Sequence, residues 1–211
     1  CLVKLGNTHV CCSAIIEDRV PGFLRISGKG WLTAEYGMLP SSTNERMDRE
    51  AAKGKQSGRT QEIQRLIGRS LRCAVNLDIL GEKTVKIDCD VISADGGTRT
   101  ASIIGGYVSL VRAINNHKKN YNLTKAIIVN QVAAISVGVV KGIACIDLDY
   151  IEDSGAEVDC NVVMASDGQF IEFQSTGEEA KFSKQTILDF IELVENSMPE
   201  IFKAQNIAIE K

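Results

Sequence analysis

Short apolar segments with alternating polar positions make up most of the first fifty residues. The segments CLVKL, HVCCSAII and GWLTAEYG have the period of two that is typical of β-strands, and Gly6 with Asn7 and Pro21 with Gly22 form turns between them. We therefore expect a β-meander of three strands at the start of the chain.

Near residue 60 the pattern changes to the period of a helix. We expect Thr60 to cap this helix, because a threonine side chain can accept a hydrogen bond from the first helical turn. The apolar face of the helix would hold Ile63, Leu66, Ile67, Leu71 and Ala74, and the opposite face Arg65, Arg69 and Arg72.

The rest of the chain alternates between strand and helix patterns. The segment KTVKIDCDVI predicts a strand, and a helix from Thr98 to about Asn115 is apolar or small nearly all round, so it belongs in the interior. Two hairpins follow, AAISVGVV with IACIDLDY and CNVVMA with FIEFQ, the second of which turns at Asp167 and Gly168. Ser183 caps a final amphipathic helix. This mixture predicts an α+β fold in a single domain over residues 1–211, rather than a doubly wound parallel sheet.

Composition and charge limit the classes of function. The chain has 211 residues, 44% of them hydrophobic, which is enough for a substantial core, and it lacks the run of about 18 apolar residues that a membrane helix needs. The net charge of -3 is uneven: residues 41–75 hold eight bases and four acids, whereas residues 144–180 hold ten acids and no base. The basic block could bind a polyanion and the acidic block a divalent metal. Both could instead be ordinary solvated faces.

The seven cysteines indicate a reducing environment. They include no C-x-x-C pair and their number is odd, so we expect reduced, mostly buried thiols in the cytoplasm rather than a disulfide framework. The chain opens at Cys1, inside a predicted strand, and we expect that an N-terminal segment is missing.

The segment SADGGTRTASIIGG predicts an anion site. Gly96 and Gly97 let the backbone approach a ligand closely, Thr98 adds a hydroxyl, and Arg99 adds a guanidinium group that matches phosphate oxygens. The helix that follows is uncharged, so its first N–H groups have no neighbouring acid. The alternative is a simple turn in which Arg99 pairs with Asp95.

Two other segments are candidates for the same site. In GKQSGRTQEI, Arg59 precedes a helix and could converge on the same anion, or it could be an exposed arginine beside a cap. In DYIEDSGAEVDCNVV, Asp153 and Asp159 flank a glycine-containing turn, and two carboxylates suit Mg²⁺, although such a loop is usually only solvated.

Four motifs in one order give the chain a resemblance to a known family. The segments GWLTAEYGMLP, REAAKGKQSGRTQEIQRLIGRSLR, DCDVISADGGTRTASI and DLDYIEDSGAEVDCNVVM together resemble the ribonuclease PH family, in register over nearly the whole chain and more weakly after about residue 180. The resemblance implies a ribosomal protein S5 domain 2-like fold. It also implies a phosphorolytic 3′ to 5′ exoribonuclease that trims transfer RNA precursors and assembles as a homohexamer, a trimer of dimers.

The resemblance further implies which residues act. It assigns inorganic phosphate, the co-substrate, to Arg59, Gly97, Thr98 and Arg99. It assigns the surroundings of the scissile bond, with Mg²⁺, to Asp153 and Asp159. Arg99 and the two aspartates would then be the catalytic residues.

Binding of RNA is assigned to the segment after GMLP. The resemblance implies Arg46 and Arg49, and Ser41 departs from the basic residue that is common in the family at that position, which concerns the strength of RNA binding rather than the chemistry. The alternatives are a catalytically silent RNA-binding ring subunit, the two-domain polynucleotide phosphorylase, and a small-molecule phosphate-transfer enzyme. Retention of the arginines and aspartates argues against the silent subunit.

Overall fold

The fold consists of two four-stranded sheets and the helices that pack on them. A computed structural model describes residues 1–121, 126–177 and 181–211, apart from the side chains of 118–121. The strands are β1 (Leu2–Leu5), β2 (Thr8–Glu17), β3 (Trp31–Met38), β4 (Thr84–Ser93), β5 (Val132–Val140), β6 (Ile143–Ile146), β7 (Val158–Ala165) and β8 (Phe170–Gly177). The α-helices are α1 (Glu50–Lys53), α2 (Gly58–Arg72), α3 (Leu77–Leu80), α4 (Thr98–Tyr121), α5 (Tyr150–Ser154) and α6 (Lys184–Glu210).

The first sheet has the strand order β1-β2-β4-β3. Strands β1 and β2 form the expected hairpin, but β3 does not pair with β2. It runs parallel to β4, with Trp31 opposite Thr84 and Met38 opposite Val91, because β4 already occupies the free edge of β2. The prediction of a three-stranded meander is therefore wrong for its third strand, since sequence periodicity identifies a strand but not its neighbour.

The second sheet is antiparallel throughout, in the order β6-β5-β7-β8. Its β7–β8 hairpin turns at the expected place, where Gly168 has a φ of +85° and the N–H of Ala165 donates to the carbonyl of Gln169 at 2.9 Å. The β6 strand ends at Ile146, and the residues expected to continue it form a turn and the short helix α5 instead.

The predicted interior helix is α4, which contacts both sheets. It packs on β2 and β4 of the first sheet and on β5 of the second, and its residues share one core with both. Helix α6 covers the second sheet, where Phe190, Val194 and Met198 are almost completely buried. Because strands and helices mix in this way, the α+β prediction is confirmed.

Helix starts agree with the sequence in two cases of three. Helix α4 begins at Thr98 as expected, although it extends past Asn115 to Tyr121, and the hydroxyl of Ser183 accepts from the N–H of Thr186 at the start of α6. Helix α2 is instead capped by Ser57.

Two other expectations concern the whole chain. All seven cysteines lie among the described residues and are free thiols, but only Cys12, Cys89 and Cys160 are buried, so the prediction of mostly buried thiols is wrong. Of the helices that the structure describes, none is long and apolar enough to cross a membrane.

Candidate active site

A glycine loop, residues 95–98, leads from β4 into α4. Gly96 and Gly97 have φ values of +75° and +55°, which side chains rarely adopt, so both glycines are used for conformations that other residues resist. A Cβ on Gly96 would collide with the carbonyl oxygen of Leu148 and lie 2.8 Å from the carbonyl carbon of Asp149. The loop therefore packs directly on the segment that leads into α5.

Arg99, in the first turn of α4, points toward α2. Only 14% of its side chain is exposed, and its Nη2 lies 3.8 Å from Oε2 of Glu62. The alternative pairing with Asp95 is wrong, because that carboxylate accepts from Asn7 Nδ2 at 2.9 Å and from the N–H of Tyr150 at 3.2 Å. Arg99 thus points toward Glu62 on another helix and not toward an acid near it in the sequence.

Arg59 is exposed in the first turn of α2, not before it. The hydroxyl of Thr60 donates to Oε1 of Glu50 at 2.9 Å, so it is not free to cap, and Ser57 accepts from the N–H of Thr60 at 3.1 Å in its place. Burial alone would raise the pKa of Glu50, but the hydrogen bonds from Ser57 and Thr60 outweigh it and lower that pKa. These contacts fix the start of α2 and with it the position of Arg59.

Tyr36 joins the two arginine-bearing turns. It is 5% exposed, and its hydroxyl lies 2.9 Å from Oγ1 of Thr98. Burial raises the pKa of this hydroxyl, and the hydrogen bond with Thr98, followed by the positive charges of Arg59 and Arg99, partly offsets that effect. Tyr36 also lines a cavity together with Arg59, and Arg99 directly follows Thr98 in the chain, so the structure brings Arg59, Thr98 and Arg99 into the neighbourhood of Tyr36.

This arrangement can bind an anion. The first turn of α4 contains no acidic residue, and the N-terminus of a helix attracts negative charge. A cavity of about 440 Å³ opens beside the same tyrosine, and its lining includes the basic Arg59 and Lys53 as well as the acidic Asp48 and Glu50. Glu62 offsets part of the positive charge of Arg99.

The two predicted aspartates lie in different elements of the second half of the chain. Asp153 is in α5, whose first residue, Tyr150, is bonded to Asp95 of the glycine loop, and Asp149 caps that helix in a capping box with Glu152. Asp159 is the second residue of β7, where Nδ2 of Asn161 donates to its Oδ2 at 3.5 Å. Helix α5 is therefore attached to the glycine loop, and β7 follows one turn later.

Asp147 is a residue that the sequence analysis missed. Its Oδ1 lies 3.8 Å from the point where a Cβ on Gly97 would be, which places it beside the glycine loop. Its φ of +56° is unusual for a residue with a side chain. Burial raises the pKa of its carboxyl group, and the negative charge of Glu152 raises it further. Because the segment IACIDLDY has the pattern of a strand, the sequence did not predict the turn that contains Asp147.

The segment between β3 and α1 contains the predicted RNA-binding arginines. Arg46 is exposed, with Nη1 3.5 Å from Oδ1 of Asp48, and Arg49 precedes α1 and lines a cavity of about 310 Å³ together with Lys55. The exposed positive charge of this segment therefore adjoins the anion site through Tyr36, which lines the same cavity.

Two of the three arginines on the face of α2 opposite its apolar face already make contacts within the chain. Nη2 of Arg69 lies 2.7 Å from Oε1 of Glu172 in β8. Nη1 of Arg72 donates to the carbonyl of Leu32 at 2.9 Å, and its guanidinium group stacks 4.6 Å over the ring of Trp31. Because these two side chains contribute to packing, this face of α2 is not wholly available for binding RNA.

The donor set for a metal is small. Among the described residues, no group of three or more His, Cys, Asp or Glu side chains could hold a metal ion. A Mg²⁺ ion keeps several waters and needs only one or two carboxylates, so a pair of aspartates fits its chemistry.

Comparison with protein families matches both halves of the chain. Residues 1–114 match the 3′ exoribonuclease family, domain 1, and residues 130–195 match domain 2 of the same family. A ribonuclease PH from Corynebacterium kroppenstedtii is 52% identical over 210 residues, covering 100% of this chain and 83% of the relative.

Solved structures have the same fold at low sequence identity. Rice (Oryza sativa) Rrp46 has a TM-score of 0.76 at 15% identity, covering 97% of this chain and 84% of that one. An Archaeoglobus fulgidus exosome with RNA bound to the active site has a TM-score of 0.77 at 16% identity, covering 96% and 81%. These likenesses support the S5 domain 2-like fold. The chain belongs to the 3′ exoribonuclease family, which confirms the resemblance to ribonuclease PH and the prediction of a phosphorolytic 3′ to 5′ exoribonuclease.

Proposed function

We propose that the site around Tyr36 binds inorganic phosphate and directs it at the last phosphodiester of an RNA chain, with transfer RNA precursors as the substrate. The observation that supports this most is that the Tyr36 hydroxyl lies 2.9 Å from Oγ1 of Thr98, the neighbour of Arg99, while Tyr36 also lines a cavity with Arg59.

Electrostatics explain why the site needs two arginines. Two unit negative charges about 4 Å apart repel by roughly 4 kcal/mol at an effective dielectric near 20, and phosphorolysis brings two phosphates together. Arg59 and Arg99 would offset this repulsion, while Thr98 and the first N–H groups of α4 hold the attacking oxygen in line with the scissile bond.

The reaction needs no protein nucleophile. A phosphate oxygen forms a bond to the phosphorus of the terminal nucleotide, the bond from that phosphorus to the 3′ oxygen of the preceding nucleotide breaks, and that oxygen takes up a proton. The product is a nucleoside 5′-diphosphate. Asp153 and Asp159 would hold a Mg²⁺ ion, whose charge stabilises the developing negative charge on the leaving oxygen. Alternatively, one of the two aspartates would supply the proton.

RNA would be held through its backbone phosphates. Arg46 and Arg49 are exposed beside the site, and phosphate contacts position a strand without reading its sequence. Ser41 adds no charge at the position that is commonly basic, so the affinity for RNA would depend on these two arginines more than in relatives.

We also propose assembly into a homohexamer in the cytoplasm. The exposed apolar side chains Ile15, Phe23 and Ile26, which are 56%, 71% and 97% exposed, provide surface for contacts between copies. The basic block (residues 41–75) and the acidic block (residues 144–180) are weaker support for contacts between copies than the sequence indicates. Arg69 of the first block already pairs with Glu172 of the second within one chain. The free thiols fit a reducing compartment.

The test is product identification with and without inorganic phosphate. Purified protein, Mg²⁺ and a short RNA with a 3′ tail should release nucleoside 5′-diphosphates only when phosphate is present. Arg99→Ala should abolish release while RNA binding, measured by fluorescence anisotropy, stays largely intact. RNA binding without any product from the wild type would instead support the silent ring subunit.

A further inference from the structure

Thr8, the first residue of β2, binds the backbone of the glycine loop at two points. Its hydroxyl donates to the carbonyl of Gly96 at 2.6 Å and accepts from the N–H of Asp95 at 2.8 Å. Both directions are fixed, because a carbonyl can only accept and a backbone N–H can only donate. Thr8 is 1% exposed, so these bonds are shielded from water. The loop is therefore attached to a strand that lies 87 positions earlier in the chain.

The loop does not fix its own conformation. Gly96 and Gly97 both have positive φ, and glycine adopts many other backbone conformations about as readily. The peptide group between the two glycines can therefore take several orientations unless a contact from elsewhere selects one. Among the described residues, the hydroxyl of Thr8 is the one donor to the carbonyl of this peptide group.

The orientation of that peptide group determines where the N–H of Gly97 points. A trans peptide is planar, with its C=O and N–H on opposite sides, and the described residues contain no cis peptide bond. Because Thr8 holds the carbonyl of Gly96, the N–H of Gly97 points away from Thr8. Within the described part of the chain this N–H has no acceptor, so it is available to a ligand.

The next peptide group is fixed in a different way. The carbonyl of Gly97 accepts from the hydroxyl of Thr100 at 2.8 Å and from the N–H of Ala101 at 3.0 Å. Helix α4 itself therefore sets the direction of the N–H of Thr98. Of the two amides at the start of α4, the one on Gly97 depends on Thr8.

We propose that Thr8 is a positioning residue for inorganic phosphate: by holding the carbonyl of Gly96, it keeps the N–H of Gly97 directed at an anion bound by Thr98 and Arg99. The inference rests on the proposed function, in which these residues bind phosphate. A donor that is already oriented binds without the cost of ordering the loop, so the effect of Thr8 is on phosphate affinity.

Steady-state kinetics at varied phosphate concentration give the first test. Thr8→Val replaces the hydroxyl with a methyl group of similar size. It should raise the KM for phosphate about tenfold and change kcat by less than about twofold, because it weakens binding of the bound phosphate and of the transition state alike. Thr8→Ser keeps the hydroxyl and should restore the wild-type KM.

Thr84→Val is the matched control. Thr84 is 4% exposed, its hydroxyl donates to the carbonyl of Arg19 at 2.6 Å, and it lies at the end of β4 opposite the glycine loop. Both valine variants leave a buried carbonyl without its donor, so both should lower the free energy of unfolding. Only Thr8→Val should raise the KM for phosphate.

Urea unfolding with and without inorganic phosphate tests the same point without turnover. A ligand that binds the folded chain raises the free energy of unfolding by an amount that depends on its Kd. At phosphate concentrations well above Kd, tenfold weaker binding makes this gain about 1.4 kcal/mol smaller in Thr8→Val. Thr84→Val should keep the wild-type gain. Thr8→Cys gives the same comparison if Thr8→Val does not fold, since a thiol is a much weaker donor and acceptor than a hydroxyl.

Two results would overturn the inference while the proposed function stands. One is an equal gain from phosphate in the wild type and in Thr8→Val, which would make the role of Thr8 purely structural. The other is a KM that rises as much in Thr84→Val as in Thr8→Val. Failure of the proposed function looks different, because phosphate would then neither stabilise the wild type nor drive release of nucleoside diphosphate.

Discussion

The hydroxyl of Tyr36 in β3 and Oγ1 of Thr98 at the start of α4 lie 2.9 Å apart, although the two residues are 62 positions apart in the sequence. If the tyrosine donates, the threonine hydroxyl keeps its own proton for a bound phosphate. Tyr36 then positions the threonine rather than contacting the anion.

This relationship predicts the effect of Tyr36→Phe. Loss of one hydrogen bond of about 1 kcal/mol should raise the KM for phosphate about fivefold and change kcat much less. Steady-state kinetics at varied phosphate concentration measure both. The control is Tyr107→Phe, which should leave the KM unchanged. Tyr107 is a buried tyrosine in α4, nine residues and about 14 Å beyond Thr98. Equal effects of the two variants would contradict the positioning role.

A second prediction concerns the contact between the glycine loop and the segment before α5. Gly96→Ala and Gly168→Ala both place a side chain on a left-handed backbone, at a cost of about 1–2 kcal/mol. Gly96→Ala should lose about 1–3 kcal/mol more, because its Cβ would meet the carbonyl of Leu148, whereas Gly168 has open space. Urea unfolding compares them. Similar losses in both variants would show that the packing of the loop on this segment is not important.

Asp147 predicts a change of stability with pH. Its pKa is raised above the ordinary 3.8, so it stabilises the fold fully below that value and loses the contribution as the pH rises through the folded pKa. Asp147→Asn tolerates the positive φ and lacks the charge. Its free energy of unfolding should exceed that of the wild type at pH 7, by an amount that shrinks as the pH falls toward 4. A difference that is independent of pH would contradict this.

RNA binding should depend on salt through the segment after β3. For single strands, log K falls with log salt concentration by about 0.7 for each phosphate neutralised. Arg46→Gln and Arg49→Gln should each reduce this slope by about 0.7, with little change of sequence preference. Arg69→Gln is the control, since that side chain already pairs with Glu172, and it should leave the slope unchanged. An unaltered slope in the first two variants would remove them from the RNA interface.

Local signals in the sequence were sufficient for the glycine loop. Two consecutive glycines, a threonine and an uncharged helix predict the positive φ values and the helix start at Thr98, and the structure has both. The same holds for Ser183 and for the turn at Asp167 and Gly168, because caps and tight turns depend on a few adjacent residues.

Relationships between distant segments were outside the reach of these patterns. The local sequence predicts that Thr60 caps α2, but its hydroxyl donates a hydrogen bond to Glu50 instead. Arg99 has an acid four residues before it, yet it turns to Glu62 on another helix. The pairing of β3 with β4, and the position of Asp147 behind a strand-like pattern, depend on tertiary packing in the same way, because periodicity does not specify which elements become neighbours.

In the proposed reaction, inorganic phosphate bound by Arg59, Thr98 and Arg99 attacks the RNA. Radiolabelled inorganic phosphate, Mg²⁺ and an unlabelled RNA with a 3′ tail test it directly. The label should appear in the β-phosphate of the released nucleoside diphosphate. Arg99→Lys keeps the charge but not the two-pronged geometry, and it should transfer the label at least tenfold more slowly. Release of unlabelled nucleoside monophosphate would mean hydrolysis by water and would contradict it.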